Sequence, residues 1–191
     1  MMLGKKLGQN DFTLTAIVSA IESDHLLVSV NNIHLKVNGC ELDDVMVGSN
    51  VLIKCTYDYK DKQPVLDANS FELYEGNEDL VGKIEGVVTQ VDYKGDESNP
   101  WASVLLTTKY KSKSSGDNVT SSIVKFNMSK SSLDTINFDI REGDVLGVML
   151  HKTNVEENLV LKVNKVFNHI PKQVLDYYNS AAYRKDRGLA L

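Results

Sequence analysis

The chain has 191 residues, of which 42% are hydrophobic and 25% charged, with a formal net charge of −5. That is apolar material enough for packed cores and length enough for two small domains. No apolar run approaches the roughly 18 residues of a spanning helix, and MMLGKKLGQNDF lacks the apolar stretch of a secretory leader, so the expectation is a cytoplasmic protein with no membrane partner.

Residues 1–11 read as a loose arm. From Phe12 to Ile21 the residues alternate, with Phe12, Leu14, Ala16 and Val18 on one face and Thr13, Thr15 and Ser19 on the other, which is strand periodicity. Ser23–His25 turns the chain into Leu26–Val30, and Asn31-Asn32 turns it into Ile33–Val37; Asn38-Gly39 ends this meander. A crossing segment from Leu42 leads to a glycine turn at Gly48 and a fourth strand, Val51–Thr56. Thr56–Pro64 is predicted as a polar hairpin loop and Val65–Leu73 as the fifth strand. After the acidic linker Glu75–Asp79 the order recurs: strands at Val81–Val91, Trp101–Thr108 and Ser122–Met128, a crossing segment at 129–136 with room for one helical turn, then strands at Val145–His151 and Leu159–Phe167. Extra length falls in the loops Lys94–Pro100 and Lys109–Ser121. Helical spacing comes only at the end, where Pro171 suits a first turn, Val174, Tyr178, Ala181 and Ala182 share a side, and Gly188 is a stop.

Internal echoes support reading one unit used twice. AIVSAIE (Ala16–Glu22) is answered by GVVTQVD (Gly86–Asp92) at an offset of 70. VMVGSNV (Val45–Val51) is answered by IREGDVL (Ile140–Leu146), and Ala68–Phe71 by Val163–Val166, both at an offset of 95. Five short strands with a crossing between the third and fourth is the order of an OB-fold barrel. The predicted fold is therefore all-β: two tandem five-stranded Greek-key OB-fold barrels, 12–76 and 80–170, followed by a C-terminal α-helix, 171–188.

The hairpin KYKSKSSGDN (Lys109–Asn118) is the most informative surface feature. In an extended arm Lys109, Lys111 and Lys113 share a side, interleaved with Tyr110; Lys125 follows on the partner strand, Trp101 stands at the hairpin mouth and Tyr93 ends the preceding strand. Single-stranded nucleic acid needs cations along its phosphates and flat rings for its bases, and stacking contributes roughly 1–3 kcal/mol per base. The competing reading is a solvated loop with Trp101 as a core plug. The first unit has a related loop, in which Tyr57 and Tyr59 share a side with Lys60 and Lys62 beyond, although Asp58 and Asp61 interleave. Charge is uneven: residues 1–79 carry 13 acidic and 6 basic side chains, residues 80–191 carry 13 and 15, so the second half is the better host for a polyanion.

Other chemistry is not supported. His25, His34, His151 and His169 are scattered, and Cys40 and Cys55 lack ligand spacing, so no metal or cofactor is expected and the thiols read as free and buried. Gly76–Lys83 is no phosphate loop, since it has one residue too many between its glycines and Ile84 where Ser or Thr must hold a metal. The triplets at Asn118 and Asn127 match a glycosylation acceptor only in a secreted chain. No nucleophile turn is present, and paired carboxylates sit at turns, so no enzyme activity is expected.

The double unit resembles tandem OB-fold single-stranded-DNA-binding proteins, similar in layout to replication protein A subunits and to viral or phage single-strand binders, over roughly Phe12–Phe167. The resemblance is one of strand order. It implies stacking positions at Trp101, Tyr110 and Phe126 and phosphate contacts at Lys109, Lys111, Lys113 and Lys125, with Phe126 favoured for burial by its alternation with Val124 and Met128. It departs from bacterial and phage relatives in ending basic, RKDRGLAL, rather than acidic. Two functions follow as expectations: a non-enzymatic binder of single-stranded DNA or RNA in replication, recombination or transcription, or an adaptor in a phage particle or multisubunit assembly that binds protein. Helix 171–188, with Tyr177, Tyr178 and Tyr183 followed by Arg184, Lys185 and Arg187, reads equally as a cap on its own barrel or as a surface for a protein partner or self-association.

Overall fold

The computed structural model describes residues 8–40, 45–111, 119–137, 139–155 and 158–180, with the side chains of 110, 111, 119, 120, 154 and 155 left aside. The strands of the first half are β1 (Gln9–Ile21), β2 (His25–Val30), β3 (Ile33–Asn38), β4 (Asn50–Lys60) and β5 (Gln63–Leu73). The second half holds β6 (Asp79–Lys94), β7 (Trp101–Lys111), β8 (Val119–Met128), the short helix α1 (Lys130–Asp134), β9 (Val145–Val155) and β10 (Asn158–Ile170), and α2 (Lys172–Asn179) follows.

The fold is all-β with OB-fold strand order, and each half closes into a five-stranded ring. Pairing runs β1-β2-β3-β5-β4 and back to β1, with β3 and β5 parallel, and β6-β7-β8-β10-β9 and back to β6, with β8 and β10 parallel. α1 spans the crossing between the third and fourth strands of the second ring and buries Leu133 beneath it. Alternate residues fill the interiors, among them Leu14, Val28, Ile53 and Leu66 in the first and Leu106, Phe126, Met128 and Val148 in the second, all 0–1% exposed.

The sequence echoes mark matching backbone devices. In β1 the register slips between Val18 and Ala20, and in β6 between Val88 and Gln90. At each slip the strand is held by a glycine turn: Gly48 N–H donates to Val18 O and Val18 N–H to Ser49 O, while Gly143 N–H donates to Val88 O and Val88 N–H to Asp144 O, at 2.8–2.9 Å. Both glycines are left-handed, at φ 91° and 89°, which is why glycine stands there. The third echo is a bulge as well, skipping Asn69 in β5 and Asn164 in β10. Such bulges raise local twist, which a small closed barrel requires.

The two rings share a seam. β1 pairs antiparallel with β6 over Gln9↔Glu85 to Thr15↔Asp79, so the ten strands of the described residues form one hydrogen-bonded sheet. Residues opposite in a ladder point to the same face; Phe12 and Leu14 thus lie beside Gly82 and Leu80, and the two interiors merge into one apolar cluster. Gly82 is needed there, because a Cβ would sit 2.2 Å from the Phe12 ring.

Several expectations are corrected. Gln9–Asp11 are not part of a loose arm but pair with β6, and Asp79 belongs to β6 rather than to a linker. Thr56–Pro64 is not a long loop: β4 and β5 pair to Lys60↔Gln63 around a two-residue turn at Asp61 and Lys62, both at positive φ (49° and 64°) as at Asn31 and Asn32. Lys109–Lys111 likewise belong to β7, paired with Ser121–Val119. The C-terminal helix is described to Asn179 only, and the remainder of 171–188 lies outside the described residues. None of the residues of α2 is buried, and its start is held where buried Asp144 accepts hydrogen bonds from Arg141 N–H, Lys172 N–H and His169 Nε2 at 2.8–3.0 Å. Cys40 and Cys55 are free thiols; Cys55 is buried as expected, whereas Cys40 is only half-buried.

Candidate nucleic-acid interface

Between the rings lies a cleft of about 640 Å³. The first ring lines it with His34 and Lys36 on β3, Tyr59 at the outer end of β4, and Lys62 in the two-residue turn; the second lines it with Lys94 ending β6, Trp101 opening β7, and Lys125 on β8. Leu159 and Leu161 of β10 form part of its floor. Among the described residues lining it there is no Asp or Glu, so four ammonium groups set its sign.

The cations and rings are paired. Lys94 Nζ stands 5.2 Å from the Trp101 ring centroid and Lys125 Nζ 5.7 Å from that of Tyr59, both at cation–π distance. Trp101 and Tyr59 are half-buried at the cleft, each with a lysine ammonium over its ring. The turn that delivers Trp101 is built locally: Asp96 accepts from Ser98 Oγ and from the N–H groups of Ser98 and Asn99. These hydrogen bonds, led by that of Ser98 Oγ, hold its carboxyl below the usual range. Gly95, at φ 84°, starts the turn with Asn99 O where a Cβ would be.

Of the residues singled out in the sequence, Trp101, Tyr59, Lys62 and Lys125 meet in this cleft although they come from two rings. The others are elsewhere. Tyr57 does not share an open face with Tyr59: it is 3% exposed, stacked on Phe12 at 5.2 Å, and burial drives its phenol pKa upward. Its position on β4 is inward and two residues deeper, so the ring enters the core before the strand emerges at Tyr59. Phe126 lines the cleft too but is buried at 1%, as its alternation indicated. Tyr93 is 47% exposed, with its hydroxyl donating to Ile140 O and accepting from Ile140 N–H, and it is not among the lining residues. Lys60 pairs with Asp58 at 2.9 Å. Lys109 is exposed on β7 away from the cleft, with its carbonyl taking the Gly8 N–H. Tyr110 and Lys111 are placed by backbone alone, and Lys113 lies outside the described residues.

Sequence reasoning missed His34, Lys36 and Lys94. Lys36 was within reach, since it is the outward residue of the third strand in a fold that presents strands two and three to ligands. Lys94 gave a weaker signal, a single cation before a glycine turn.

No family model matches the chain, and no curated protein matches it in sequence. Solved structures do match in shape. A deletion mutant of the single-stranded DNA binding protein from Thermus aquaticus superposes with a TM-score of 0.62 at 12% identity, over 86% of this chain and 95% of that one. The wild-type protein of the same organism superposes with a TM-score of 0.56 at 13% identity, over 87% and 94%. At such identities the likeness is one of fold.

Proposed function

We propose that the protein is a non-enzymatic binder of single-stranded nucleic acid, DNA foremost, and that the strand runs through the cleft between two OB-fold domains, 12–76 and 80–170. The observation that carries the reading is the cleft itself: four lysines without a lining carboxylate, two of them set against the rings of Tyr59 and Trp101. Ammonium groups neutralise phosphates and release counterions, while the rings offer stacking that is indifferent to base identity. Likeness of fold to the Thermus aquaticus single-stranded DNA binding protein supports the same reading. The role is that of coating or delivering a template in replication, recombination or transcription.

A fluorescence-anisotropy titration with labelled oligo(dT) at two salt concentrations tests it. Binding that weakens steeply with salt is expected; no binding, or binding indifferent to salt, overturns it. An RNA oligonucleotide of the same length in competition separates DNA from RNA.

A second reading is an adaptor that binds protein. The net charge of −5 and the exposed Val174, Tyr177 and Tyr178 on α2 favour it, and in that case the titration gives no signal while α2 carries the partner or a second copy.

A further inference from the structure

Asp58, in the strand that carries Tyr59 to the cleft, is a buried acid with 6% exposure beside a cationic groove. Its surroundings assign it a mechanical role. β4 last pairs with β1 at Phe12↔Cys55. Beyond that point the Asn10 side chain stands in for a strand: its Oδ1 accepts Tyr57 N–H at 3.0 Å and its Nδ2 donates to Tyr57 O at 2.8 Å. β4 then crosses toward the second ring. There Asp58 Oδ1 accepts both Tyr59 N–H and Ile123 N–H at 2.9 Å, and Lys60 Nζ stands 2.9 Å from Oδ2. Ile123 lies on the margin of β8 that β10 does not reach, since among the described pairings β10 meets β8 only at Asn127.

We propose that Asp58 is a positioning residue, fixing the two walls of the cleft against each other so that Tyr59 meets Lys125 and both face the strand. This rests on the reading of the cleft as a nucleic-acid path. It makes a prediction of sign that simple electrostatics reverses. If Asp58 were only a negative charge near the groove, removing it would also release Lys60, and a polyanion would bind more tightly. A positioning residue acts the other way, because a preorganised site loses affinity when its walls are free to move.

The experiment compares wild type, Asp58→Ala and Asp58→Asn, with thermal melts to show that each is folded. Two quantities are read: oligo(dT) affinity and the exchange rate of the Ile123 amide. Asp58→Ala is expected to raise Kd about tenfold and to speed Ile123 exchange, while Asp58→Asn, which keeps the accepting oxygen, stays within about threefold of wild type and keeps the amide protected. Should Asp58→Ala not fold, Asp58→Ser takes its place with the same expected sign, its hydroxyl being too short to reach Ile123. Binding equal to or tighter than wild type in the Ala or Ser variant overturns the proposal, as does an Ile123 amide that remains protected in it. Failure of the wild type to bind oligo(dT) removes the functional reading instead; the Ile123 amide then decides alone, faster exchange in the variant upholding the positioning of the walls and unchanged exchange overturning it.

Discussion

Gly48 donates its N–H to Val18 O at 2.8 Å, across the point where β1 slips its register. The glycine holds φ 91°, and nothing lies within 4 Å of the place a Cβ would take. Gly48→Ala therefore isolates backbone strain from crowding. It should cost about 1–2 kcal/mol in a urea titration with the m-value unchanged. At Gly143, φ 89°, an added Cβ would also meet the Lys172 side chain at 2.6 Å, so Gly143→Ala should cost at least as much. A neutral outcome at Gly48 would show that the turn can relax.

Tyr59 and Trp101 are predicted to carry stacking. Each alanine substitution should weaken oligo(dT) binding by roughly 1–3 kcal/mol in anisotropy. Tyr57 serves as the internal control: as a core ring on Phe12, Tyr57→Ala should lower stability by about 3–5 kcal/mol without a matching change in Kd for the folded fraction. If Tyr57→Ala lowers affinity as much as Tyr59→Ala without loss of stability, the strand does not run through the cleft.

Lys36, Lys62, Lys94 and Lys125 should appear in the salt dependence. Each Lys→Gln change that removes a phosphate contact lowers the slope of log K against log salt by about 0.7 for a single strand. Lys109→Gln, on a strand face outside the cleft, should leave the slope as it is.

The thiols give a pH-dependent prediction. Burial pushes the Cys40 thiol from 9.0 up to about 11, and that of Cys55 further in the same direction. The thiolate is the reactive form, so at pH 8 Cys40 should alkylate on the order of a hundredfold more slowly than a thiol of pKa 9 and gain about tenfold per pH unit. Cys55 should stay unlabelled until the chain unfolds. The folded state holds its thiol protons where the unfolded chain has begun to lose them, so stability falls as pH rises from about 9 upward. Rapid labelling of Cys55 at neutral pH would contradict its burial.

Much of the fold was legible because a barrel strand writes itself as alternation and its bulges as glycine and small residues at fixed offsets: Val18 and Val88, Gly48 and Gly143. The inward position of Phe126 could be read from its neighbours for the same reason. What could not be read depends on partners. Nothing in Gln9–Thr15 says that its outer edge meets Asp79–Glu85, since a ladder is made by backbone groups that every residue shares. The turn at Asp61-Lys62 carries no glycine or asparagine, so its tightness was hidden. Tyr57 and Tyr59 have identical side chains and parity; only the course of β4, leaving β1 for β8, separates a core ring from a cleft ring. The cleft has residues 36, 62, 94 and 125 on its walls because two rings were set side by side, and that spacing is written nowhere along the chain.

The β1–β6 ladder has a consequence for how the molecule comes apart. Each ring contains one of the two seam strands, and Phe12 occupies space that belongs to the neighbouring strand's Gly82. Severing the chain between Leu73 and Asp79 would leave either fragment with a bare strand margin and an uncovered apolar flank, so each OB-fold domain is expected to be less stable alone than in the intact chain. Heat or urea should dissolve both rings in one event, and a calorimetric trace should carry a single peak where two beads on a string would give two.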